Sequence, residues 1–463
     1  MLVSLDTLRA DRLNCYGYRA RPTSPEIDRL AADALLFENH VTASPWTTPA
    51  HLSLLTSLAP SSHGVITPFL EAQGELALGR GFACLGAEHA TLAEVLSRNG
   101  YASAAMTGGV TLDPRLGFGR GFELYDTGLA KLGAAAVQQM AGWIAQHGNS
   151  PFFLFLHTFE VHAPYTRATY LGSVLPQDQA AALRRALGRL ERRPDVSEAA
   201  LRGEHVLARH KALTLDVASA LYDGGVHEAD SWVGELVAVL KRERVYDRTM
   251  LIVTSDHGEQ LGESSAGLAA AARDGAFYNR HGHDLYQELL HVPLIVRLPG
   301  GLGVRGRVAA VTRAIDVMPT ILDVLGVPAG SARMQGVSLR PLWEGREPAG
   351  RLAFAEALAA PGESKAVRDA RYKYIVSASP AQVAAGGRAR LPAEPAAVEL
   401  YDLQSDPAEQ HNLVSTGDPE IRRQAKALDR ALRRIADAPS GRADRMAPSQ
   451  KLIEDLRLLG YMR

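Results

Sequence analysis

One stretch of the sequence places hydroxyl and imidazole groups where they could attack an anionic ester. It reads Ser44-Pro45-Trp46-Thr47-Thr48-Pro49-Ala50-His51. Proline disfavours helix in the residue before it and suits a helix's first turn, so we expect Thr48 to be extended and a helix from Ala50 to Leu58. Thr47 would then lie just ahead of a helix N-terminus, where free N–H groups attract an anion. Thr47 is therefore a candidate nucleophile, although the stretch by itself favours a simple helix cap.

Metal-ligating side chains follow two predicted buried strands. Asp6 closes the strand Leu2–Leu5, and Asp256 and His257 close a second apolar run. In open α/β sheets ligands bind at the carboxyl ends of the strands, so we expect these side chains to meet Thr47 at one edge of the sheet. A lone Asp after a strand is more often a helix cap, but the four groups together would make one compact metal site. Their oxygen and imidazole donors favour Zn²⁺ or Mn²⁺, with Mg²⁺ or Ca²⁺ as alternatives.

The elements that must hold these groups alternate between strand and helix. Strands are predicted over residues 2–5, 36–41, 101–106, 152–156, 250–255 and 292–296, and helices near Pro25 and over 91–98, 133–146, 226–240 and 315–325. This order predicts an α/β domain over residues 1–345, with a large, mixed, mostly parallel sheet between helical layers. Within it we expect residues 166–211 to form a helical insertion and residues 260–279 a mobile loop or lid.

The sequence changes character after about residue 346. Short predicted strands replace the alternation, at residues 352–356, 364–368, 372–376 and 399–402. A charged amphipathic helix follows, from Pro419 to Ala436. We therefore expect a smaller C-terminal α+β domain over residues 346–463, built on an antiparallel sheet and a terminal helix.

Composition limits the partners. The 463 residues include 50 Lys plus Arg and 51 Asp plus Glu, so no excess of charge favours nucleic acid or an anionic membrane. The two cysteines, Cys15 and Cys84, form no zinc or disulfide pattern, and no apolar run is long enough to cross a bilayer. The expected partner is a small-molecule anionic ester, and a homo-oligomer is possible.

The N-terminus leaves the compartment open. The first strand begins at Leu2, with no signal peptide or other leader ahead of it. The chain as written reads as cytoplasmic, whereas a missing leader would make it periplasmic or secreted.

These motifs together resemble the sulfatase family, within the alkaline-phosphatase superfamily. The matching segments extend over essentially the whole chain and include Ser4–Asp11, Trp46–Thr56, His162-Ala163-Pro164-Tyr165, Thr254–Glu259, His281-Gly282, Val292-Pro293-Leu294, Leu400–Leu403 and Leu459-Gly460-Tyr461. The resemblance implies a hydrolase of phosphoric or sulfuric esters that needs a divalent metal. It also implies that His162 and His281 lie at the site, where they would hold the leaving group or oxyanion and one would act as general acid.

The departures from the family pattern change the expected chemistry. The family has Cys or Ser, any residue, Pro, a small residue and Arg, and the Cys or Ser is oxidised to formylglycine. This chain has Thr47 and His51 at the first and last of these places, and oxidation of Thr would give a ketone, so formylglycine is not expected. His51 is expected to replace the Arg as a donor to the nucleophile or to a non-bridging oxygen. Thr7 stands where sulfatases usually carry a second carboxylate, which favours a single metal.

Several functions stay open at this stage. The Thr nucleophile resembles those of lipoteichoic-acid synthases and phosphoethanolamine transferases, and the Asp-His pair resembles that of phosphonate monoester hydrolases. We expect phosphodiesters or phosphonate esters to be preferred over sulfate esters. The alternatives are an arylsulfatase-type hydrolase, a phosphoryl-group transferase to an alcohol and a non-catalytic binding homologue. A structural hydrogen bond is the alternative role for each site histidine, and we expect only structural roles for His157, His283 and His291.

Overall fold

The computed structural model describes residues 1–66, 82–128, 134–191, 214–262, 281–300, 303–347, 350–359, 362–379, 381–382, 391–436, 441 and 443–446. Three sequence-based expectations lie wholly or partly outside the described residues. They are the loop or lid from residue 263 on, residues 192–211 of the helical insertion, and the motif Leu459-Gly460-Tyr461.

A mixed eight-stranded sheet forms the centre of the large domain. The strands in this part of the chain are β1 Leu2–Leu5, β2 Leu35–Val41, β3 Phe82–Cys84, β4 Ala102–Met106, β5 Leu124–Asp126, β6 Phe152–Thr158, β7 Leu251–Thr254, β8 Leu294–Arg297 and β9 Gly306–Arg313. The sheet has the order β5-β4-β6-β1-β7-β8-β2-β9. Strand β1 runs parallel to both its neighbours, β6 and β7, whereas β8 runs antiparallel to β7 and β2. The predicted mixed, mostly parallel sheet is thus confirmed.

Helices cover both faces of this sheet. They are α1 Pro25–Ala32, α2 Thr47–Thr56, α3 Pro60–His63, α4 Leu92–Arg98, α5 Ala134–His147, α6 Gln177–Glu191, α7 Leu215–Arg242, α8 Gln287–Leu290, α9 Val317–Leu325 and α10 Arg340–Trp343. Successive strand residues point to opposite faces. Accordingly, Val3 and Leu156 join the core beneath α1, α5 and α7, whereas Leu2 and Phe155 join the core beneath α2, α4 and α9. Within the described part of the chain, no helix is long and apolar enough to cross a bilayer.

A second, antiparallel sheet follows in the C-terminal part of the chain. It comprises β10 Ala353–Ala359, β11 Gly362–Arg368, β12 Tyr372–Ala378 and β13 Ala397–Asp402. Helix α11, Pro419–Ala436, packs on one face through Leu428 and Leu432, and the other face shares a small core with the large domain. A short strand β14, Asp444–Met446, pairs with β3. The small antiparallel sheet is confirmed, and the domain boundary at residue 345 stays a prediction.

Buried polar bonds join the C-terminal sheet to the segment that follows His281. Lys373 Nζ, on β12, donates to the carbonyl of Leu285 at 2.6 Å. Glu409 accepts from the backbone N–H of Gln287 at 2.6 Å and also pairs with Lys373. These bonds fix the segment from outside the large domain.

The helix after the tryptophan begins earlier than the sequence predicts. Helix α2 starts at Thr47, and its N-cap is the extended residue Trp46, with φ −140° and ψ 141°. Thr48 is therefore helical, which corrects the expectation that it is extended. Pro49 still fits, because first-turn N–H groups have no acceptor within the helix and its missing N–H breaks no bond.

Two other elements differ from the sequence-based expectation. Helix α7 begins at Leu215, eleven residues before the predicted start at Val226. The prediction began too late because Asp223, Gly224 and Gly225 interrupt the apolar pattern of the helix. Gly224 is needed there, since an added Cβ would lie 2.1 Å from the carbonyl oxygen of Arg167. Strand β9 was not predicted; it is an edge strand whose first half exposes Gly306, Arg307 and Ala309, so it lacks the continuous apolar run of the buried strands.

Candidate active site

Asp6 emerges from the central strand of the large sheet into a fixed backbone position. Its N–H donates to the carbonyl of Thr158 at 3.1 Å, which extends the β1–β6 pairing to the carboxylate. The next residue, Thr7, has φ +59°, a left-handed conformation that non-glycine residues rarely adopt. The phenol of Tyr222 donates to the Thr7 carbonyl at 2.6 Å and stabilises this turn. The turn aims the Thr7 N–H at Asp256 Oδ1, 3.3 Å away, so one backbone bend links both carboxylates.

Thr47 is the first residue of α2 and points its hydroxyl into the same space. Its Oγ1 lies 3.4 Å from Asp6 Oδ2 and 3.2 Å from His257 Nε2, and the residue is fully buried. The cap position belongs to Trp46, which makes no side-chain cap bond, so the Thr47 hydroxyl is not capping the helix. The Thr48 hydroxyl donates to the carbonyl of Thr111 at 2.8 Å and faces elsewhere.

His257 presents an unprotonated nitrogen to Thr47. Its Nδ1 lies 2.8 Å from the carbonyl oxygen of Gly258, and because a carbonyl only accepts, Nδ1 carries the proton. The lone pair is then on Nε2, which is the form of imidazole that binds a metal. Gly258 allows this turn, since a Cβ there would lie 1.9 Å from the carbonyl oxygen of Glu288.

The carboxylates and His257 fit a divalent cation. Ligand atoms of Asp6, Asp256 and His257 lie within 4.8 Å of one another, and all three residues are buried. Asp6 Oδ1 and Asp256 Oδ2 are buried oxygens with no hydrogen-bond partner among the described residues. Two buried carboxylates need a compensating charge. The donor set and its unpartnered oxygens therefore match the metal site that the sequence predicts.

The pKa values of the two carboxyl groups diverge. Burial, reinforced by the charge of Asp256, raises the pKa of Asp6 well above its usual value. Burial also raises the pKa of Asp256, but the imidazoles of His257, His51 and His157 outweigh it and hold that pKa below the usual range. The two neighbouring carboxyl groups thus have pKa shifts of opposite direction.

His51 lies at the site with both ring nitrogens already bonded. Its Nδ1 is 2.9 Å from the carbonyl oxygen of Thr47, and its Nε2 is 2.9 Å from Ser4 Oγ. The expectation that His51 donates to the Thr47 hydroxyl is therefore not the geometry observed, since the donor nitrogen serves the Thr47 backbone. Burial lowers the pKa of His51 to about 4, so it carries no fixed positive charge as an arginine would.

His157 joins the site, although the sequence indicated only a structural role. It lies on β6, opposite Ser4 of β1, and its Nε2 is 2.9 Å from Asp6 Oδ2. With His51 and Asp256 it forms a second close group of potential ligand atoms, within 4.8 Å of one another. Burial lowers the pKa of His157 to about 4. The available signal was a histidine next to the end of an otherwise apolar strand.

His162 and His281 lie together on the other side of His257. The ring centroids of His281 and His257 are 4.6 Å apart, and those of His162 and His281 are 5.2 Å apart. The Nδ1 of His162 donates to the carbonyl of Ala163 at 2.6 Å, and its Nε2 has no hydrogen-bond partner among the described residues. Burial lowers the pKa of His162 to about 4. The structure thus brings both predicted histidines to the metal-ligand cluster.

A carboxylate that sequence reasoning gave no separate role orients His281. Glu259 Oε1 lies 3.0 Å from His281 Nδ1, and the phenol of Tyr165 donates to Glu259 Oε2 at 2.8 Å. Although burial raises the pKa of Glu259, the nearby His281 outweighs that effect and lowers it. Tyr165, Glu259 and His281 therefore form a buried chain that ends at the site.

Known proteins resemble this chain in sequence and in fold. A family model described as Sulfatase matches residues 1–327, and a second, described as N-sulphoglucosamine sulphohydrolase, C-terminal, matches residues 275–385. Two solved structures share the fold over nearly the whole chain. The phosphonate monoester hydrolase of Agrobacterium radiobacter has a TM-score of 0.63 at 23% identity, covering 94% of this chain and 95% of that one. A second solved structure, of a protein in complex with its substrate D-glucosamine-2-N,6-O-disulfate, has a TM-score of 0.66 at 18% identity. The match covers 94% of this chain and 97% of that one.

Curated relatives combine phosphatase-superfamily and sulfatase names. The Multifunctional alkaline phosphatase superfamily protein PehA of Trinickia caryophylli is 26% identical over 434 residues, covering 75% of this chain and 77% of that protein. Steryl-sulfatase of Mus musculus is 27% identical, covering 97% and 83%. Arylsulfatase K of Bos taurus is 29% identical over 230 residues, 48% of this chain and 37% of that protein. The chain belongs to the sulfatase family and is a hydrolase acting on ester bonds.

Proposed function

We propose that this chain is a metal-dependent hydrolase of small anionic esters that uses Thr47 as its nucleophile and prefers phosphodiesters or phosphonate esters to sulfate esters. One observation carries the proposal: the Thr47 hydroxyl points at Asp6 and His257 and not at its own helix. A hydroxyl aimed at a metal-ligand cluster is the arrangement of an activated nucleophile.

Asp6, Asp256 and His257 would hold the metal together with Thr47. A bound divalent cation would lower the pKa of the Thr47 hydroxyl and neutralise charge on the ester. Thr47 Oγ1 would pass its proton along its hydrogen bond to Asp6 Oδ2 and attack phosphorus in line, and the bond from phosphorus to the leaving oxygen would break. The N–H groups of Thr47 and Thr48 lie in the first turn of α2, where they have no acceptor within the helix, and would add a partial positive charge beside the phosphoryl oxygens.

His281 is the better placed of the two histidines to protonate the leaving oxygen. The Glu259 carboxylate accepts from its Nδ1, which fixes the ring and turns Nε2 away from Glu259, so that Nε2 can face the leaving oxygen. The Nδ1 of His162 faces a neutral backbone carbonyl, which supports a positive charge less. We therefore assign proton donation to His281 and contact with the ester oxygens to His162.

The preference for phosphorus follows from the second half of the reaction. A formylglycine hydrate can expel sulfate by collapsing to its aldehyde, so no second attack at sulfur is needed. Thr47 has no second hydroxyl on its β-carbon, so a sulfated Thr47 needs attack by water at sulfur. A phosphorylated or phosphonylated Thr47 can instead be cleared by in-line attack of water at phosphorus, a step that depends on positioning and charge neutralisation.

Steady-state kinetics on matched substrates test the proposal. The values of kcat/KM are compared for four substrates that share a nitrophenyl leaving group: a phosphodiester, a phosphonate monoester, a phosphomonoester and a sulfate ester. Each is assayed with Zn²⁺, Mn²⁺, Mg²⁺ and Ca²⁺ added in turn. We expect the highest value for the phosphodiester or the phosphonate. A clear preference for sulfate would refute the substrate assignment and require another release route. No turnover of any of these esters would support a non-catalytic homologue instead.

A further inference from the structure

Each metal-binding carboxylate has one oxygen bonded by the protein and one left without a hydrogen bond. Asp256 Oδ1 accepts from the Thr7 N–H and from Ser255 Oγ, both at 3.3 Å, and in the part of the chain that the structure describes Oδ2 has no hydrogen-bond partner. For Asp6 the roles are reversed: Oδ2 accepts from His157 Nε2 at 2.9 Å and from the Thr47 hydroxyl at 3.4 Å, and Oδ1 is without a hydrogen bond among the described residues. The two unpartnered oxygens are those available to a cation.

We infer that His157 is a positioning residue that commits Asp6 to bind the metal through Oδ1; this inference rests on the proposed function. As a metal ligand Asp6 is a carboxylate, whose oxygens only accept, so in that state Nε2 of His157 carries the proton and donates it to Oδ2. A carboxylate without such a donor can rotate about its last torsion and offer either oxygen. With Oδ2 held by this bond, the carboxylate of Asp6 already has one orientation when the metal arrives, and it presents Oδ1.

The surroundings of His157 suit this task. Its backbone is fixed in the sheet, because β6 pairs with β1 in the register that sets His157 opposite Ser4. Its ring is held on two sides by edge-to-face contacts, with His51 at 4.9 Å and Phe159 at 4.8 Å between centroids. The side chain is wholly buried, so water does not compete for Oδ2. The donor therefore has a fixed direction.

A neutral donor is also better here than a charged one. Lysine or arginine at this place would bring a full positive charge next to the cation and oppose its binding. The bond from a neutral imidazole polarises the carboxylate without that repulsion. Hydrogen bonds of this kind to ligating groups typically change metal affinity by about 10- to 100-fold when removed.

Metal affinity of the full chain tests the inference without reference to turnover. His157→Leu removes the donor, and His157→Gln keeps an N–H donor near the position of Nε2. The dissociation constant for Zn²⁺ is measured by competition with a chromogenic chelator, and thermal unfolding of each metal-free variant checks folding. We expect His157→Leu to weaken binding about 10- to 100-fold and His157→Gln to stay close to the wild type. If His157→Leu does not fold, His157→Asn, whose amide is too short to reach Oδ2, takes its place.

The outcomes separate the two proposals. Unchanged affinity in the donor-free variant would overturn the role of His157, while the proposed function would stand. Equal losses in the donor-free and Gln variants would show that the imidazole is itself a ligand and would also overturn positioning. A wild-type chain that binds no divalent metal would refute the proposed function, and the inference with it.

Discussion

The site has two sides of different construction. The strand side consists of Asp6, Asp256 and His257, and the loop side of His162, His281 and Glu259. The strand-side groups follow β1 and β7 directly and are fixed by main-chain bonds such as that between Asp6 and Thr158. The loop-side groups belong to no helix or strand, and Glu259 and His281 hold each other through a side-chain bond.

This difference matches the two tasks that an ester hydrolase performs. Metal binding and attack at phosphorus need ligand atoms in one geometry, which a parallel sheet supplies at its carboxyl edge. Leaving groups vary from substrate to substrate, and groups on loops can adapt to them. We therefore expect changes on the strand side to abolish chemistry for every substrate and changes on the loop side to alter the response to the leaving group.

The largest expected effect is at the nucleophile. Thr47→Ala should lower kcat by a factor of about 10⁴ or more, because attack at phosphorus loses its oxygen. Thr48→Ala is the matched control: it loses a buried hydrogen bond to Thr111, which costs about 1 kcal/mol of stability, and should keep most of the activity. Assays of kcat and circular dichroism on both variants provide the measurement. Comparable losses of kcat at both positions would indicate that each substitution disturbs the start of α2, and would contradict the role of Thr47 as the nucleophile.

The next effect concerns metal. Thorough chelation of the wild type, or the substitution Asp256→Ala, should abolish activity towards every ester, and elemental analysis should find Asp256→Ala metal-free. Asp230→Asn is the control, since this buried carboxylate binds the N–H groups of Glu26 and Ile27 at the start of α1. Full metal content in Asp256→Ala, or activity that survives chelation, would contradict the strand-side assignment.

A smaller and selective effect is expected on the loop side. Glu259→Gln should lower kcat for esters of poorly leaving alcohols by about 10²-fold or more, because general acid catalysis is worth that much. For nitrophenyl esters, whose nitrophenolate leaves without needing a proton, kcat should fall far less. The slope of log kcat against leaving-group pKa gives the measurement and should steepen in Glu259→Gln and in His281→Gln. A uniform loss for all leaving groups would mean that Glu259 only supports the fold.

The last expected effect is on stability in acid, and it comes from three buried imidazoles at the site. Burial lowers the pKa of His51, His157 and His162 to about 4, whereas an unfolded imidazole titrates near 6.5. Between these pH values the imidazoles bind protons in the unfolded chain but stay neutral in the folded chain. The free energy of unfolding therefore falls as the pH falls from about 6.5 to 4. Urea unfolding of metal-free protein across this range should show it.

A variant pair assigns that acid sensitivity. His162→Asn should flatten the dependence by up to about 1.4 kcal/mol per pH unit, the contribution of one proton. His411→Asn, at a side chain that is 81% exposed, should leave the dependence unchanged. If His162→Asn has the wild-type slope, the neutral state of that imidazole does not contribute to stability.

The convergence of the site was predictable from sequence to a useful degree. Asp6 and Asp256 follow strands and Thr47 begins a helix, and the topology of parallel sheets brings such positions to one edge. The direction of the His51 ring was not predictable, because Ser4, its partner, is 47 residues away along the chain and meets it only in the folded sheet. His157 was missed because a histidine in an apolar strand is usually a core residue. Its bond to Asp6 depends on the β1–β6 register, which no local pattern specifies.

The buried bonds from the C-terminal sheet to the segment after His281 couple two distant events. Separating the sheet from the large domain would leave the carbonyl of Leu285 and the N–H of Gln287 without Lys373 and Glu409. Each unsatisfied buried group costs about 1–3 kcal/mol, more when a charge is involved, so neither part opens without the other. In native-state hydrogen exchange the C-terminal sheet and the segment carrying His281 should therefore open as one cooperative unit. Unfolding of this sheet by heat or proteolysis would then abolish activity before the central strands of the large sheet unfold.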